Sequence, residues 1–397
     1  MRLAYVLSEF PAPSETFIRR EMAEVERQGH EIIPCALGRG DFAVASVSPS
    51  LAERGLYRST WCRFKQAALA SVGPKRGRER GEGIWAASCA LEWAKRLKGR
   101  GVDRVHAHFI SEPAAVGVVL AARLKVPFSV SAHARDIWVE TTPLLDWVMR
   151  AADAVAVCTR AGAEALRGKV PATLRTKIVA IHHGLDSRGW ALADARPWPR
   201  RRDNEPWRLL FLGRLVEKKG VGDLIAAVAA LRKRDLEVQL DVVGDGPGRA
   251  LLERQAAAFG VAEWCAFHGF VEERRARLFL EGTDLLVAPS IVAKDGDRDG
   301  IPNGVLEALS AGAPVVAARV GGLAELADDY GVVWPAEPGD CLDLAGKIEQ
   351  VLTDAALAQR LRATGWDVVR EHFDLGQNVA RLIELWGTPG APRAPSS

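Results

Sequence analysis

Three features are missing from this sequence, and each absence excludes a class of protein. The six cysteines stand singly without a CxxC pair, which argues against a zinc site or a disulfide framework and fits reduced thiols. The longest apolar run, residues 114–122, is about half as long as the roughly 20 residues that a membrane helix needs. The apolar run at the N-terminus is too short for a signal peptide, so we expect a cytoplasmic protein.

Length and composition indicate an ordinary globular protein with more than one domain. The 397 residues exceed the size at which a single core stops growing, about 250–300 residues. Hydrophobic residues make up 48% and charged residues 26%, which is a typical balance for folded domains. We therefore expect two domains, each with its own core.

The net charge of +3 hides a difference between the two halves. Residues 1–200 hold 30 basic and 20 acidic residues (+10), which leaves 23 basic and 30 acidic residues (−7) for the remainder. The excess is densest between Arg54 and Arg104, including 75–80 and 95–100. These residues fit either a peripheral contact with anionic lipid on the inner face of the plasma membrane, at about 1 kcal/mol per basic residue, or a solvated loop and helix face.

Short apolar runs alternate with segments of helical periodicity along the whole chain, which predicts buried parallel sheets covered by helices on both faces. In the first half we predict strands at Leu3–Leu7, Glu31–Ala36, Val105–Phe109, Phe128–Ala132, Ala154–Cys158 and Lys177–Ile181, and helices at Glu15–Gln28, Ala114–Leu124 and Arg160–Arg167. In the second half we predict strands at Arg208–Leu212, Val238–Val243, Cys265–His268, Leu285–Ala288, Val315–Ala317 and Val332–Trp334, and helices at Val221–Lys233, Arg249–Phe259, Val305–Ser310, Cys341–Leu352 and Ala355–Glu371.

The pattern restarts after a non-periodic segment with three prolines, residues 194–207, which we interpret as a linker. The fold class is therefore α/β, with two Rossmann-like doubly wound domains that face a central cleft. The N-terminal domain spans 1–193 and the C-terminal domain 208–375. Residues 376–397 form a final helix and tail, and we expect the helix to pack back on the first domain. Ligands of such domains bind at the carboxyl ends of the strands.

Two turns in the second half have the composition of anion or nucleotide sites. After a strand, Gly213-Arg214 is followed by Lys219-Gly220 and a helix, so that backbone N–H groups, a guanidinium and an ammonium come together. The segment Gly244-Asp245-Gly246-Pro247 also follows a strand, and its glycines allow close approach of a ligand to the backbone. A solvated basic turn and a plain tight turn remain the alternatives.

The segment from Asp299 to Glu307 is the most informative one. Pro302 suits the first turn of a helix and Gly312 suits its end, so the N–H groups of residues 300–304 lie at a helix N-terminus. Asp299 precedes this helix and Glu307 stands one turn inside it. Two carboxylates eight residues apart thus bracket a site for an anion.

A calcium loop is the rival interpretation of Asp295-x-Asp297-x-Asp299-Gly300. An EF-hand loop needs a bidentate Glu at its twelfth position, and that position holds Leu306 here. Asp295-x-Asp297 also has the form of a carboxylate pair that holds Mg²⁺. We expect it to be a solvated loop without a metal.

The first half offers several histidines and one capping motif. His133 follows a strand and is placed for chemistry or for a structural role, and Asp136 stands three residues later. His106 and His108 lie on one face of a strand with no third metal ligand apparent, and we interpret His182-His183 as architectural. The sequence Ser14-Glu15-Thr16 reads as an N-cap and first turn.

Together these motifs resemble those of the retaining GT-B glycosyltransferases of family 4. The resemblance covers nearly all of the second half and rests on Gly213-Arg214, Lys219-Gly220, Gly244-Asp245-Gly246-Pro247, Phe267-His268-Gly269, Pro289-Ser290, Asp299-Gly300-Ile301-Pro302-Asn303, Glu307-Ala308, Gly312-x-Pro314-Val315-Val316 and Gly321-Gly322-x-x-Glu325. In the first half, Ser14-Glu15-Thr16-Phe17-Ile18 resembles members from bacterial surface-polysaccharide pathways.

The resemblance implies roles for individual residues. Arg214 and Lys219 would bind the donor diphosphate, Glu307 would accept hydrogen bonds from the ribose hydroxyls, and His133 would lie near the donor sugar. Asp299 stands where the family usually has Glu, and Ala134 stands where it usually has Gly. The implied catalytic residues are His133, Arg214, Lys219 and Asp299. The implied donor-binding residues are Gly213, Arg214, Lys219, Gly244, Gly246, Gly300, Ile301, Pro302, Asn303 and Glu307. The acceptor side would include Ser14, Glu15, Thr16 and Asp136.

The resemblance implies a retaining, metal-independent hexosyltransferase that uses a UDP- or GDP-linked sugar as donor substrate and needs no cofactor. The expected acceptor is a saccharide, polyprenyl-linked in the leading hypothesis, in exopolysaccharide or lipopolysaccharide synthesis. No nucleic acid is expected as a partner. A GT-B-fold nucleotide-sugar epimerase and a non-catalytic nucleotide-sugar-binding protein are the alternatives. Donor, acceptor, linkage and oligomeric state have no motif that identifies them.

Overall fold

The structure is a computed structural model, and it describes residues 1–10, 15–39, 56–57, 75–139, 144–186, 198–199 and 205–387, with only the backbone at 39, 56–57 and 75–85. The chain divides into two compact units, Met1–Gly184 with Leu375–Ser397, and Leu185–Asp374. Most of the predicted linker, 194–207, lies outside the described residues.

The first unit contains a seven-stranded sheet in which all neighbouring strands are parallel. Across the sheet the order is β3-β2-β1-β4-β5-β6-β7. In chain order the strands are β1 Arg2–Phe10, β2 Glu31–Arg39, β3 Leu56–Tyr57, β4 Arg104–His108, β5 Phe128–Ala132, β6 Ala154–Val157 and β7 Ile178–Ala180. The helices are α1 Thr16–Arg27, α2 Lys75–Leu97, α3 Glu112–Leu124, α4 Ala134–Trp138, α5 Leu145–Ala151 and α6 Arg160–Lys169.

The second unit repeats this plan with a six-stranded parallel sheet in the order β10-β9-β8-β11-β12-β13. Its strands are β8 Trp207–Leu212, β9 Val238–Val243, β10 Cys265–Gly269, β11 Leu285–Ala288, β12 Val315–Ala318 and β13 Trp334–Ala336. Its helices are α7 Val221–Arg232, α8 Arg249–Ala258, α9 Glu273–Gly282, α10 Asn303–Ser310, α11 Gly322–Asp328, α12 Cys341–Thr353 and α13 Ala355–His372.

The last helix, α14 Leu375–Gly387, belongs to the first unit. Its apolar side, which includes Leu382 and Trp386, is buried in a core shared with β1 and α1. Two backbone carbonyls of α14 accept hydrogen bonds from side chains of that unit: Arg104 donates to the carbonyl of Trp386, and Gln28 donates to the carbonyl of Gly376. The helix is therefore an integral layer of the first unit.

The predicted α/β class with two doubly wound sheets is confirmed. One predicted strand is displaced, since pairing begins at Trp334 and not at Val332. Val332 and Val333 are apolar because they are buried, but they do not pair with β12. The sequence does not predict β3 or the helices α2, α4, α5, α9 and α11. Helix α9 is rich in charged residues and buries only Ala276 and Leu280.

Each sheet has one point at which the strand order reverses. It lies between β1 and β4 in the first unit and between β8 and β11 in the second. At such a point the connections leave to opposite faces of the sheet, which opens a crevice at the carboxyl ends of the strands. The polar clusters described next lie at these two positions.

Candidate functional site

In the second unit, two lysines meet two aspartates at the point between β8 and β11. Lys219, from the turn after β8, places Nζ 2.9 Å from Oδ2 of Asp299, from the loop after β11. The Nζ of Lys218 lies 3.1 Å from the carboxylate of Asp297 and 3.7 Å from Oδ1 of Asp299. The hydroxyl of Ser290 donates to Oδ2 of Asp299 at 2.6 Å. The structure thus brings together two of the predicted site residues, Lys219 and Asp299.

Asp299 is held ionised in this cluster. Burial raises the pKa of its carboxyl, but the charges of Lys219 and Lys218 and the hydrogen bonds from Ser290 and Lys219 outweigh burial and lower the pKa below its usual value. Asp297 is also buried, so the expectation of a solvated loop is wrong for this residue, whereas Asp295 is exposed as expected. The carboxylate of Asp297 can be buried because Lys218, 79 residues away in the sequence, lies next to it and compensates its charge. Lys218 and Lys219 therefore supply the positive charge beside Asp297 and Asp299.

Glycines allow the loops of this unit to approach each other closely. Gly244 has φ +137°, and a Cβ there would lie 1.9 Å from the carbonyl oxygen of Gly213. A Cβ on Gly246 would lie 2.6 Å from the carbonyl oxygen of Leu215. Gly220 and Gly321 pack in the same way, against the carbonyls of Pro289 and Asp299. Gly244 and Gly246, two of the predicted donor-binding glycines, therefore stand where side chains would force the loops apart, as do Gly220 and Gly321.

Helix α10 begins at the edge of the same crevice. Pro302 occupies its N-cap position, one residue before the first turn in which it was predicted. Gly312, with φ +67°, ends the helix as predicted: its N–H donates to the carbonyl of Leu309, and the N–H of Ala313 donates to the carbonyl of Ala308. Glu307 is buried within the helix.

The remaining predicted donor residues lie around this helix. Gly300, Ile301, Pro302 and Asn303 are half-buried at its N-terminal end. Gly213 donates its N–H to the carbonyl of Val243 at 3.0 Å, which ties the two glycine turns together. Arg214 is exposed on the same turn, and within the described ranges nothing pairs with its guanidinium. Its charge is thus available to an anion.

In the first unit, a row of hydrogen-bonded side chains lies at the carboxyl end of the sheet. Oε1 of Glu21, from α1, lies 3.1 Å from Nε2 of His108 at the end of β4. Nδ1 of His108 lies 3.3 Å from Nε2 of His133, which follows β5. Nδ1 of His133 lies 3.3 Å from Nε2 of His183, which follows β7. Tyr5 donates a further hydrogen bond to Oε1 of Glu21 at 3.1 Å.

The environment of this row keeps the carboxyl ionised and two of its rings neutral. Burial raises the pKa of Glu21, but the charge and hydrogen bond of His108, with the charges of His106 and His183, lower it to about 2. Burial, followed by the neighbouring imidazoles, lowers the pKa of His133 well below its usual range. Burial also lowers the pKa of His183 to about 4, despite the opposing charge of Glu21.

Sequence reasoning missed several members of these clusters. A third candidate ligand for His106 and His108 does exist, because a carboxylate oxygen of Glu21 lies within 4.8 Å of their ring nitrogens. Cys158, which follows β6, has the same relation to His133 and His183. The available signal was topological: three successive strands, β4 to β6, each end at or just before a histidine or cysteine, and His182 and His183 follow shortly after β7.

Of the four residues predicted for the acceptor side, the structure describes three. Ser14 lies outside the described residues, and the N-cap of α1 is Glu15, one residue later than predicted. Thr16 opens the helix. Burial raises the pKa of Glu15 to about 7, with His108 lowering it and Glu9 raising it. Asp136 accepts the backbone N–H of His133 at 3.0 Å and so fixes the turn that holds this histidine.

Among the described residues, none of the helices combines the length and the apolarity that crossing a bilayer requires. The basic segment predicted to face lipid or solvent includes the C-terminal end of α2. There Lys95, Arg96 and Lys98 are exposed, while Trp93 and Leu97 are buried beneath them.

Comparisons with known proteins identify related glycosyltransferases. The family model described as Glycosyltransferase Family 4 matches residues 14–188, and the one described as Glycosyl transferases group 1 matches residues 194–366. The chain is 29% identical to glycogen synthase of Mycobacterium tuberculosis over 298 residues, which cover 70% of this chain and 68% of that protein. It is 24% identical to the putative colanic acid biosynthesis glycosyltransferase WcaL of Escherichia coli, over 88% of this chain and 90% of that protein.

Solved structures share the fold. HepE from Anabaena, crystallised with UDP and also with UDP-glucose, superimposes with a TM-score of 0.72 in the UDP complex. That alignment covers 98% of this chain and 100% of HepE, at 17% sequence identity. At this identity the likeness is one of fold.

Proposed function

The chain belongs to the glycosyltransferases of family 4 and group 1, and on that premise we propose what it transfers and how. We propose that it moves a hexose from a nucleoside-diphosphate sugar to a lipid-linked saccharide, with retention of configuration and without a metal ion. The observation that carries the proposal is the contact between Lys219 and Asp299, next to helix α10 at the crevice of the second unit.

The charges of this cluster determine how a diphosphate would bind. Lys218, Lys219, Asp297 and Asp299 together have no net charge, so they attract an anion only if one lysine turns from carboxylate to phosphate. Lys219 is suited to this exchange because its ion pair is with Asp299, whereas Lys218 is shared between Asp297 and Asp299. Arg214 and the N-terminal end of α10 supply the remaining positive potential. Glu307 would then accept hydrogen bonds from the ribose hydroxyls.

The reaction follows from neutralising the leaving group. Diphosphate departs readily when cations and backbone dipoles stabilise its developing charge, and Arg214, Lys219 and α10 would supply that stabilisation without Mg²⁺. Retention needs no enzymatic nucleophile if the acceptor hydroxyl enters on the face that the diphosphate leaves. A phosphate oxygen then takes the proton of the hydroxyl as the new glycosidic bond forms. By the resemblance, His133 would lie near the donor sugar, and it takes no part in this proton transfer.

Kinetics of two variants test the site. Lys219→Ala and Glu307→Ala should each abolish transfer while circular dichroism shows the fold intact, since both side chains would contact the nucleotide. Lys233→Ala, at the end of α7 and away from the crevice, is the matched control and should retain full activity. Full activity in both site variants would remove the assignment.

The proposed acceptor is lipid-linked because the first half of the chain is basic and exposes Lys95, Arg96 and Lys98. Such residues attract anionic headgroups, and salt screens this attraction over about 10 Å at 0.1 M. The protein should therefore bind vesicles that contain phosphatidylglycerol, and binding should weaken as salt rises. Equal binding to neutral vesicles at all salt concentrations would favour a soluble saccharide acceptor instead.

A further inference from the structure

The row of Glu21, His108, His133 and His183 is more than four adjacent polar groups, because its members are joined edge to edge. The rings of His108 and His133 are 17° from parallel with centroids 5.4 Å apart, and those of His133 and His183 are 15° from parallel with centroids 5.2 Å apart. In both pairs the two nitrogens, at 3.3 Å, are about 2 Å closer to each other than the ring centroids are. The contacts are therefore hydrogen bonds between ring nitrogens.

The carboxylate gives this row a direction. Ionised Glu21 can only accept, so Nε2 of His108 must carry the proton between them. In a neutral ring Nδ1 is then an acceptor, and it takes the N–H of His133 Nε2. By the same reasoning Nδ1 of His133 accepts from Nε2 of His183. While the ring of His108 is neutral, one carboxylate at the inner end therefore fixes which nitrogen is protonated in all three rings.

The outer end of the row is His183. Its Nδ1 must be an acceptor, and the part of the chain that the structure describes provides no hydrogen-bond donor for it. His183 also lines a cavity of about 20 Å³ together with Cys158 and Asn378, large enough for one water-sized group. A hydroxyl is the smallest donor that fits such a space, and saccharide acceptors present many hydroxyls.

We propose that Glu21, His108 and His133 form a relay that fixes the tautomer of His183, so that Nδ1 of His183 accepts a hydrogen bond from a hydroxyl of the saccharide acceptor. Glu21 and His108 are positioning residues, since they act through the rings that follow them. The hydroxyl contact rests on the proposed function, because it takes the substrate to be a saccharide. The direction of the relay rests only on the geometry of the first unit.

Nitrogen-15 NMR of the full chain labelled at histidine tests the relay directly. We expect a pyridine-type shift for Nδ1 of His183 and a pyrrole-type shift for Nε2. In Glu21→Gln the amide can donate or accept, so the tautomer of His183 should become mixed. The matched control is Glu24→Gln on the same helix, which removes another buried carboxylate and should leave His183 unchanged. A protonated Nδ1 in the wild type, or no response to Glu21→Gln, would overturn the relay.

A pair of substitutions at His183 tests the hydroxyl contact, with UDP-glucose as donor and water as the acceptor hydroxyl. Asn places its amide where Nδ1 stands, whereas Gln places it where Nε2 stands. His183→Gln should therefore lower kcat for hydrolysis about fivefold, the value of one hydrogen bond, with KM for UDP-glucose unchanged. His183→Asn, which keeps an acceptor at the position of Nδ1, should lower kcat by a smaller factor than His183→Gln. Equal losses in both variants would contradict the contact.

Two further results separate the alternatives. Stoichiometric zinc in the purified protein, lost in Cys158→Ser, would overturn the relay, because a metal would then occupy nitrogens of His133 and His183. If the wild type hydrolyses and transfers no UDP-, GDP- or ADP-sugar, the proposed function fails and the hydroxyl contact fails with it. The NMR spectra still decide the direction of the relay in that case.

Discussion

Replacing Asp299 with Asn should destabilise the second unit by about 3 kcal/mol. The change keeps the shape of the side chain but removes the charge that lies 2.9 Å from Lys219 and 3.7 Å from Lys218. Breaking a buried ion pair from one side costs about 3–5 kcal/mol, and the lower end applies because the lysine side chains are 14% and 21% exposed. For a unit of this length the unfolding temperature should fall by about 6–12 °C, measured by calorimetry.

A matched variant separates this effect from ordinary loss of a surface charge. Arg234 and Glu349 form an ion pair at 2.8 Å whose side chains are 42% and 38% exposed. Glu349→Gln should cost less than about 1 kcal/mol, because water already screens that pair. Asp299→Asn also leaves Lys219 without its carboxylate, so UDP should bind at least as tightly as in the wild type. A stability loss no larger than that of Glu349→Gln would refute the role of Asp299 as the buried partner of Lys219.

Two further predictions concern Glu15 and the glycine turns. Because its folded pKa of about 7 lies above the ordinary value of 4.5, protonated Glu15 favours the fold, and this stabilisation is complete below pH 4.5 and lost as pH rises through 7. Glu15→Gln should therefore be more stable than the wild type by about 2 kcal/mol at pH 8 in urea unfolding but not at pH 4, and an equal difference at both values would contradict the pKa. Gly244→Ala should destabilise the second unit by about 3 kcal/mol or more, because the new Cβ meets the carbonyl oxygen of Gly213. Gly346→Ala, in α12 with open space around the new Cβ, should instead stabilise by about 0.5–1 kcal/mol, and similar effects in both would argue against the packing of the two turns.

Sequence alone predicts most strands of this fold, since β11 and β12 are short apolar runs and β5 and β9 alternate apolar with polar residues. It also predicts the end of α10, because a glycine with positive φ has a local signature. It does not predict pairs set by topology. Glu21 meets His108 across 87 residues and Lys218 meets Asp297 across 79, and no local pattern encodes either contact.

The same limit applies to the two clusters as a whole. The motifs identified Lys219, Asp299 and His133 as candidates, but not that Asp299 pairs with Lys219 or that His183 pairs with His133. Each contact joins loops that follow different strands, so the order of the strands had to be known first. The strand order shows which strands have their carboxyl ends side by side. Only with that order known can histidines that are far apart in the sequence be assigned to one cluster.

The central claim is that the second unit binds a nucleoside-diphosphate sugar at Lys219. Thermal unfolding of the wild type and of Lys219→Ala, each with UDP-, GDP- or ADP-glucose, tests it most directly. One of these sugars at 100 times its Kd should stabilise the wild type by about 2.7 kcal/mol, and the same concentration should not stabilise the variant. Equal stabilisation of both proteins, or of neither by any of the three, would contradict the account.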